Sequence, residues 1–137
     1  MSKQTPYLML ALIIFACNAV VPPNMNLLTG SVKLKEGNCM PSPETPPCEF
    51  EDFQTWVYLT EPSKDFDRGK VVDSVYTDRK GEFEIYLKNG KYSVFVKYKG
   101  AYECAGFICN PECSCMPVSL QDYHVNGFRI NLDKSYQ

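Results

Sequence analysis

Four cysteines fall within twelve positions, Cys104, Cys109, Cys113 and Cys115, and two more, Cys39 and Cys48, stand earlier with eight residues between them. Thiols grouped in this way can hold a metal, cycle as a redox pair or close disulfides, and the compartment of the protein decides among the three. Structural zinc asks for C-x2–4-C knuckles with matching partners. Only Cys109 and Cys113 have that spacing, and the chain contains no C-x-x-C pair. Copper(I) would accept soft thiolates together with Met40 and Met116, which lie beside cysteines, although both methionines precede a proline. The reading preferred is therefore a set of disulfides drawn from Cys39, Cys48, Cys104, Cys109, Cys113 and Cys115, with no metal site and no cofactor. A metal-handling or thiol-redox use of the same cluster is the alternative.

Other catalytic chemistry finds little to work with. His124 is the single histidine, and at the start of a strand it reads as a structural residue rather than a general base. Asp65, Asp67 and Asp73 suggest calcium, but counted from Asp65 the fifth and twelfth positions are Gly69 and Tyr76, where an EF-hand loop needs oxygen ligands. Glu49, Glu51 and Asp52 read as an acidic loop segment. No G-x-S-x-G, no H-E-x-x-H and no phosphate-cradling glycine loop occurs. The expectation is a protein that is not an enzyme, with no catalytic residues to name.

The first residues speak to the compartment. Lys3 precedes an apolar run from Tyr7 to Ala16. That run is about half the roughly 20 residues a membrane-spanning helix needs and suits the apolar region of a secretory signal. Ile14-Phe15-Ala16-Cys17 resembles the lipobox of bacterial lipoproteins, which implies that Cys17 is acylated and becomes the new N-terminus. The organisation expected is a signal peptide over 1–16, a tether over 17–26 and one domain over 27–137. Setting Cys17 aside leaves six cysteines, an even number that full pairing requires. The net charge of -2 leaves no basic footprint for nucleic acid. The partners expected are a membrane, through the lipid anchor, and a protein or glycan.

The elements that must position the cysteines read as strands. Val32 and Leu34 alternate with Lys33 and Lys35, and Trp56-Val57-Tyr58-Leu59 and the run from Gly69 to Asp78 supply two more β-rich stretches. Phe83, Ile85 and Leu87, then Tyr92, Val94 and Val96, alternate on either side of Asn89-Gly90, which is a hairpin signal. Short strands around Val118 and from His124 to Asp133 complete seven. The fold class expected is all-β, a seven-stranded antiparallel β-sandwich, because strands that bury one face need a second sheet to bury it against.

Gly30/Val32, Gly37-Asn38/Met40-Pro41, Thr77-Asp78/Gly81/Phe83 and Gly90/Tyr92/Val94 together resemble the pattern of the carboxypeptidase regulatory-like domains. The resemblance implies a transthyretin-type (prealbumin-like) sandwich in a small lipoprotein of the Bacteroidetes type, exported to the cell envelope and held at the outer membrane. The related transthyretin-like hydrolases use several histidines and a tyrosine-rich C-terminal motif that this chain lacks. In an antiparallel sandwich the first and fifth loops share one end, so bridges between Cys39 or Cys48 and the later four are sterically allowed. Cys39–Cys48, stapling the proline-rich loop, is the first pairing expected, and Cys113–Cys115 is discounted because one spacer residue makes a strained ring. The function expected is a non-catalytic binding or structural module. Its disulfide-braced loop tip would present Tyr102, Phe107, Ile108 and Met116 as a contact surface.

Overall fold

The computed structural model describes residues 22–40 and 42–136. The signal segment 1–16, Cys17 and Pro41 lie outside the described residues. The strands are β1 (Met25–Asn38), β2 (Glu51–Asp52), β3 (Trp56–Thr60), β4 (Val71–Tyr76), β5 (Glu82–Lys88), β6 (Gly90–Tyr98), β7 (Ala101–Glu103), β8 (Phe107–Cys109), β9 (Cys113–Cys115), β10 (Val118–Leu120) and β11 (Val125–Tyr136). Among the described residues the only helical element is a 3-10 turn at Arg68–Lys70. The protein is all-β. Seven of the strands lie where alternation predicts them, and β2, β7, β8 and β9 are short additions.

Two sheets face each other. In the first, β1 is central, flanked on one side by β11 and on the other by β5 and β2. In the second the order is β10-β6-β3-β4, with β7 also on β6. Val96 pairs with Val57 on one edge of β6 and with Glu103 on the other, so β7 and β10 share the edge opposite β3. Leu28, Val32, Phe83, Ile85, Leu87, Ile130 and Leu132 from the first sheet meet Val57, Leu59, Tyr92, Val94, Val96, Val118 and Leu120 from the second in one buried core. The first strand begins at Met25, two residues before the domain start expected at 27. Asn26 is buried there and donates to the Asn89 side chain at 2.7 Å.

The structure corrects the sequence reading in three places. The strands are not all antiparallel: β1 and β11 run parallel over their whole shared length. No hairpin forms at Asn89-Gly90, because β5 pairs with β1 and β6 with β3. The chain turns there from one sheet to the other. Asn89 holds the corner, accepting from Asn26 and from the Asp122 backbone (2.9 Å) and donating to the Asp122 carboxylate (2.6 Å). The two alternating runs thus oppose each other face to face, which buries both apolar stripes in one core. The third correction is the tip. The three disulfides among the described residues are local, Cys39–Cys48, Cys104–Cys115 and Cys109–Cys113, and none of them joins the early loop to the late one.

The motif glycines explain themselves in packing. A side chain on Gly30 would meet the Phe128 carbonyl at 2.4 Å and the Phe83 ring at 2.7 Å. Gly81 has φ +73 and accepts from the Val32 amide at 2.8 Å, where a Cβ would strike the same strand. Asp78 closes that turn by accepting from the Lys80 and Glu82 amides, both at 2.9 Å. Buried Thr77 accepts from the Thr55 amide at 2.8 Å, which ties the β4–β5 corner to the start of β3.

Candidate functional site

The cysteine-rich segment is an insertion in an edge strand. β7 pairs with Val96–Tyr98 and β10 with Gly90–Tyr92, and between them residues 104–117 loop out beside Val94. Cys115 is fully buried, its Sγ 2.9 Å from the Val94 carbonyl oxygen, and its amide donates to Ser63 at 2.8 Å. Cys104–Cys115 therefore closes the base of the insertion against the sheet. The Met116 amide donates to Gly106 at 2.9 Å in the same place. Above it, β8 and β9 form a small ribbon whose outermost pair, Cys109 and Cys113, is itself bridged. Two nested disulfides brace a hairpin on the flank of the second sheet, and the Cys39–Cys48 bridge stands apart from them at the end of β1.

The four expected contact residues divide. Phe107 and Ile108 are 53% and 62% exposed on β8. Ile108 lines a shallow groove with Pro62, Tyr92, Pro117 and Val118. Met116, at φ +37, packs against the core and serves the base of the hairpin rather than its surface. Tyr102 belongs to β7 and faces a different neighbourhood. His124 accepts a hydrogen bond at Nδ1 from the Leu27 amide (2.8 Å), linking the start of β11 to β1. Among the described residues no three His, Cys, Asp or Glu side chains gather as a metal site, and no helix is long and apolar enough to cross a membrane.

Tyr102 leads to a surface that alternation alone passes over. The outward residues of the second sheet include Trp56 and Tyr58 on β3, Tyr76 on β4, Phe95 and Lys97 on β6, and Tyr102 on β7, with the small polar Thr60, Ser74 and Ser93 on the same side. The β3–β4 connection folds across this face. Phe66 stacks on Tyr102 at 3.8 Å and meets Phe95 edge-on at 5.5 Å, which buries Phe95 although it points away from the core. Ser63 fixes the same connection, donating from its amide to the Ser93 hydroxyl at 2.9 Å and accepting from it at its carbonyl (3.1 Å). Tyr58 abuts Tyr102 at 5.2 Å, and burial, then the neighbouring Tyr102, push its phenol above the usual range while Arg68 opposes them. Arg68 donates to the Tyr102 hydroxyl, and the Arg68 and Lys97 cations each stand 5.7 Å from the Tyr102 ring centre. Trp56 and Tyr76 remain open, 42% and 51% exposed, with ring centres 5.3 Å apart. A signal for this face is present in the sequence: in "WVYLT" and "YSVFV" Tyr58 and Phe95, each between two core residues, are aromatic as well.

Compared with known proteins, the chain matches no family model, and no curated protein matches it.

Proposed function

We propose that this protein is an exported, lipid-anchored and non-catalytic binding module of the cell envelope, built on a sandwich of the carboxypeptidase regulatory-like type. The observation that carries the reading is the hairpin: two apolar side chains, Phe107 and Ile108, stand in solvent on a ribbon held by two nested disulfides. Bracing lowers the conformational entropy that a contact loop loses on binding, and exposed apolar side chains on a rigid element are the usual anchors of a protein contact. The pairing of all six cysteines favours this over the metal or thiol alternative, since a metal-binding cysteine must be a thiolate. The roles of Gly30, Gly81 and Asp78 in turns and close packing support the domain type. The lipobox resemblance at Cys17 supports the anchor, with acyl chains holding the domain at a membrane.

Two measurements test the proposal. Protein purified from an oxidising compartment is expected to show no free thiol and no bound metal. Stoichiometric metal or six reactive thiols would restore the metal or redox reading. A Cys17→Ala variant is expected to lose its acyl modification and leave the membrane fraction, and a variant still fully acylated and membrane-bound would overturn the anchor.

A further inference from the structure

The aromatic face of the second sheet forms an ordered row. Trp56 pairs with Tyr76 and Lys97 with Tyr102, and one step beyond the Val57–Val96 pair places Trp56 opposite Lys97. Tyr76, Trp56, Lys97 and Tyr102 thus cross four adjacent strands, a span of about 14 Å at the usual strand spacing. The row is polarised. Its Tyr76–Trp56 end is uncharged and open, and its Tyr102 end carries Lys97 and Arg68. Neither cation has an ion-pair partner among the described residues, so both are free to meet an anion. No carboxylate projects from the outward positions of β3, β4, β6 or β7, and the acidic residues beside this face are Asp65 and Asp67 of the covering connection, Asp67 already accepting from the Gly69 amide at 2.9 Å.

From this arrangement we infer that the face is a binding site for an acidic oligosaccharide, one carrying carboxylate or sulfate groups. Pyranose rings present C–H faces that stack on indole and phenol rings, which suits Trp56 and Tyr76, and the acid group meets Lys97 and Arg68 beside Tyr102. The hydrogen bond from Arg68 to the Tyr102 hydroxyl, and the stacking of Phe66 on the same ring, hold the charged end in place before ligand arrives. An extended acidic peptide is the poorer fit. It gains affinity by adding to a free sheet edge, and the free edge here is β4, two strands away from Lys97, while β3 and β6 are already paired on both sides. This inference deepens the reading as a binding module but uses none of the hairpin's residues, so its failure leaves the hairpin proposal standing.

Trp56 is the only tryptophan of the chain, so its emission reports this face alone. Titrating the purified protein with oligogalacturonate and with a chondroitin sulfate oligosaccharide is expected to give a saturable change for at least one, and the stronger arm identifies the acid. Affinity should fall as salt is raised. Lys97→Met should weaken binding about tenfold or more, as loss of a charge-assisted contact does, and Trp56→Ala, followed by calorimetry, should weaken it similarly. Both side chains are outside the core, so the unfolding midpoints serve as the check that each variant is folded. No saturable response to either acidic sugar at millimolar concentration would overturn the inference. So would equal binding of neutral cellohexaose, or a response confined to poly-glutamate or to phosphatidylglycerol vesicles.

Discussion

The two sheets bury similar inner faces and show solvent very different outer ones. On the first sheet the outward positions are mostly polar, Thr29, Ser31, Lys33 and Lys35 on β1, Glu82 and Glu84 on β5, and Arg129, Asn131 and Asp133 on β11, with the pair Leu27 and Tyr86 as the apolar exception. Its charges are of both signs and partly matched, Lys33 with Asp52 at 3.6 Å and Lys35 with Asp133 at 3.8 Å. This is how a sheet face is kept soluble and unpaired. On the second sheet the same alternation delivers rings and unmatched cations, and a loop folds over half of them. A face built only for solubility would not use the chain's single tryptophan in the open. The contrast separates a surface that avoids contact from one arranged to make it.

The strongest test of that contrast is Phe95. It points outward, yet Phe66 covers it, so truncation to Ala should cost about 3–5 kcal/mol, as for a core phenylalanine. Glu84→Ala, outward on the first sheet, should stay within about 0.5 kcal/mol. Urea denaturation of the two variants measures both. A small loss for Phe95→Ala would mean that the loop merely lies on the sheet and that the two faces differ in composition alone.

The disulfides sharpen the comparison next. Cys39–Cys48 serves the first sheet and Cys104–Cys115 the second, with sequence separations of 9 and 11. Loop closure therefore assigns each about 3 kcal/mol. Cys48 and Cys104 are both half-buried, but Cys115 is fully buried with its Sγ 2.9 Å from the Val94 carbonyl oxygen, while Cys39 is 8% exposed. Replacing the Cys104–Cys115 pair by alanines should accordingly cost more than replacing Cys39–Cys48, by the packing lost at the sheet edge. Equal losses in the two double variants would show that the insertion is tethered to the second sheet but not packed into it.

Much of the fold was legible because it is local. Alternation marks Val32, Leu34, Phe83, Ile85, Leu87, Tyr92, Val94 and Val96 as core, and the Thr77-Asp78/Gly81/Phe83 pattern falls on the β4–β5 turn that Asp78 closes. What alternation does not encode is whether the next strand lies beside its predecessor or across from it. At Asn89 that is decided by Asn26 and Asp122, distant in the chain, and so the hairpin was misread. The parallel pairing of β1 with β11 joins the two ends of the domain and has no local signature. The cysteine pairing was legible for Cys39–Cys48, where one loop brings both together. The nested pairs in the insertion depend on the β8–β9 register, which only the folded ribbon reveals. The aromatic face is hidden for a simpler reason: aromatic residues favour strands on either face, and only the β3–β6–β7 register shows that Tyr58, Phe95 and Tyr102 share one side.

The smallest expected effect separates the two faces by pH. On the first sheet, Asp133 is held below the usual carboxylate range chiefly by the Ser135 hydroxyl and amide, and Glu36 chiefly by the Tyr98 hydroxyl, which donates at 2.6 Å, with Lys99 adding. A carboxyl lowered in the folded state favours folding above its unfolded value, and this contribution fades as pH falls below about 4.5. Tyr58, on the second sheet's outer face, is raised by burial, as is Tyr92 beneath it. A raised phenol favours folding at neutral pH and loses that contribution as pH climbs above 10, where the unfolded chain ionises first. Lys99, raised by Tyr98 and Glu36, loses its contribution in alkali as well, from a position at the rim. Unfolding midpoints followed across pH should therefore respond to Tyr98→Phe on both limbs, through Glu36 and Lys99, and to Tyr58→Phe on the alkaline limb alone. If Tyr58→Phe leaves the alkaline limb unchanged, the ring is not sheltered from water by Tyr102 and its neighbours. The second face would then present its aromatics to water as freely as the first presents its charges.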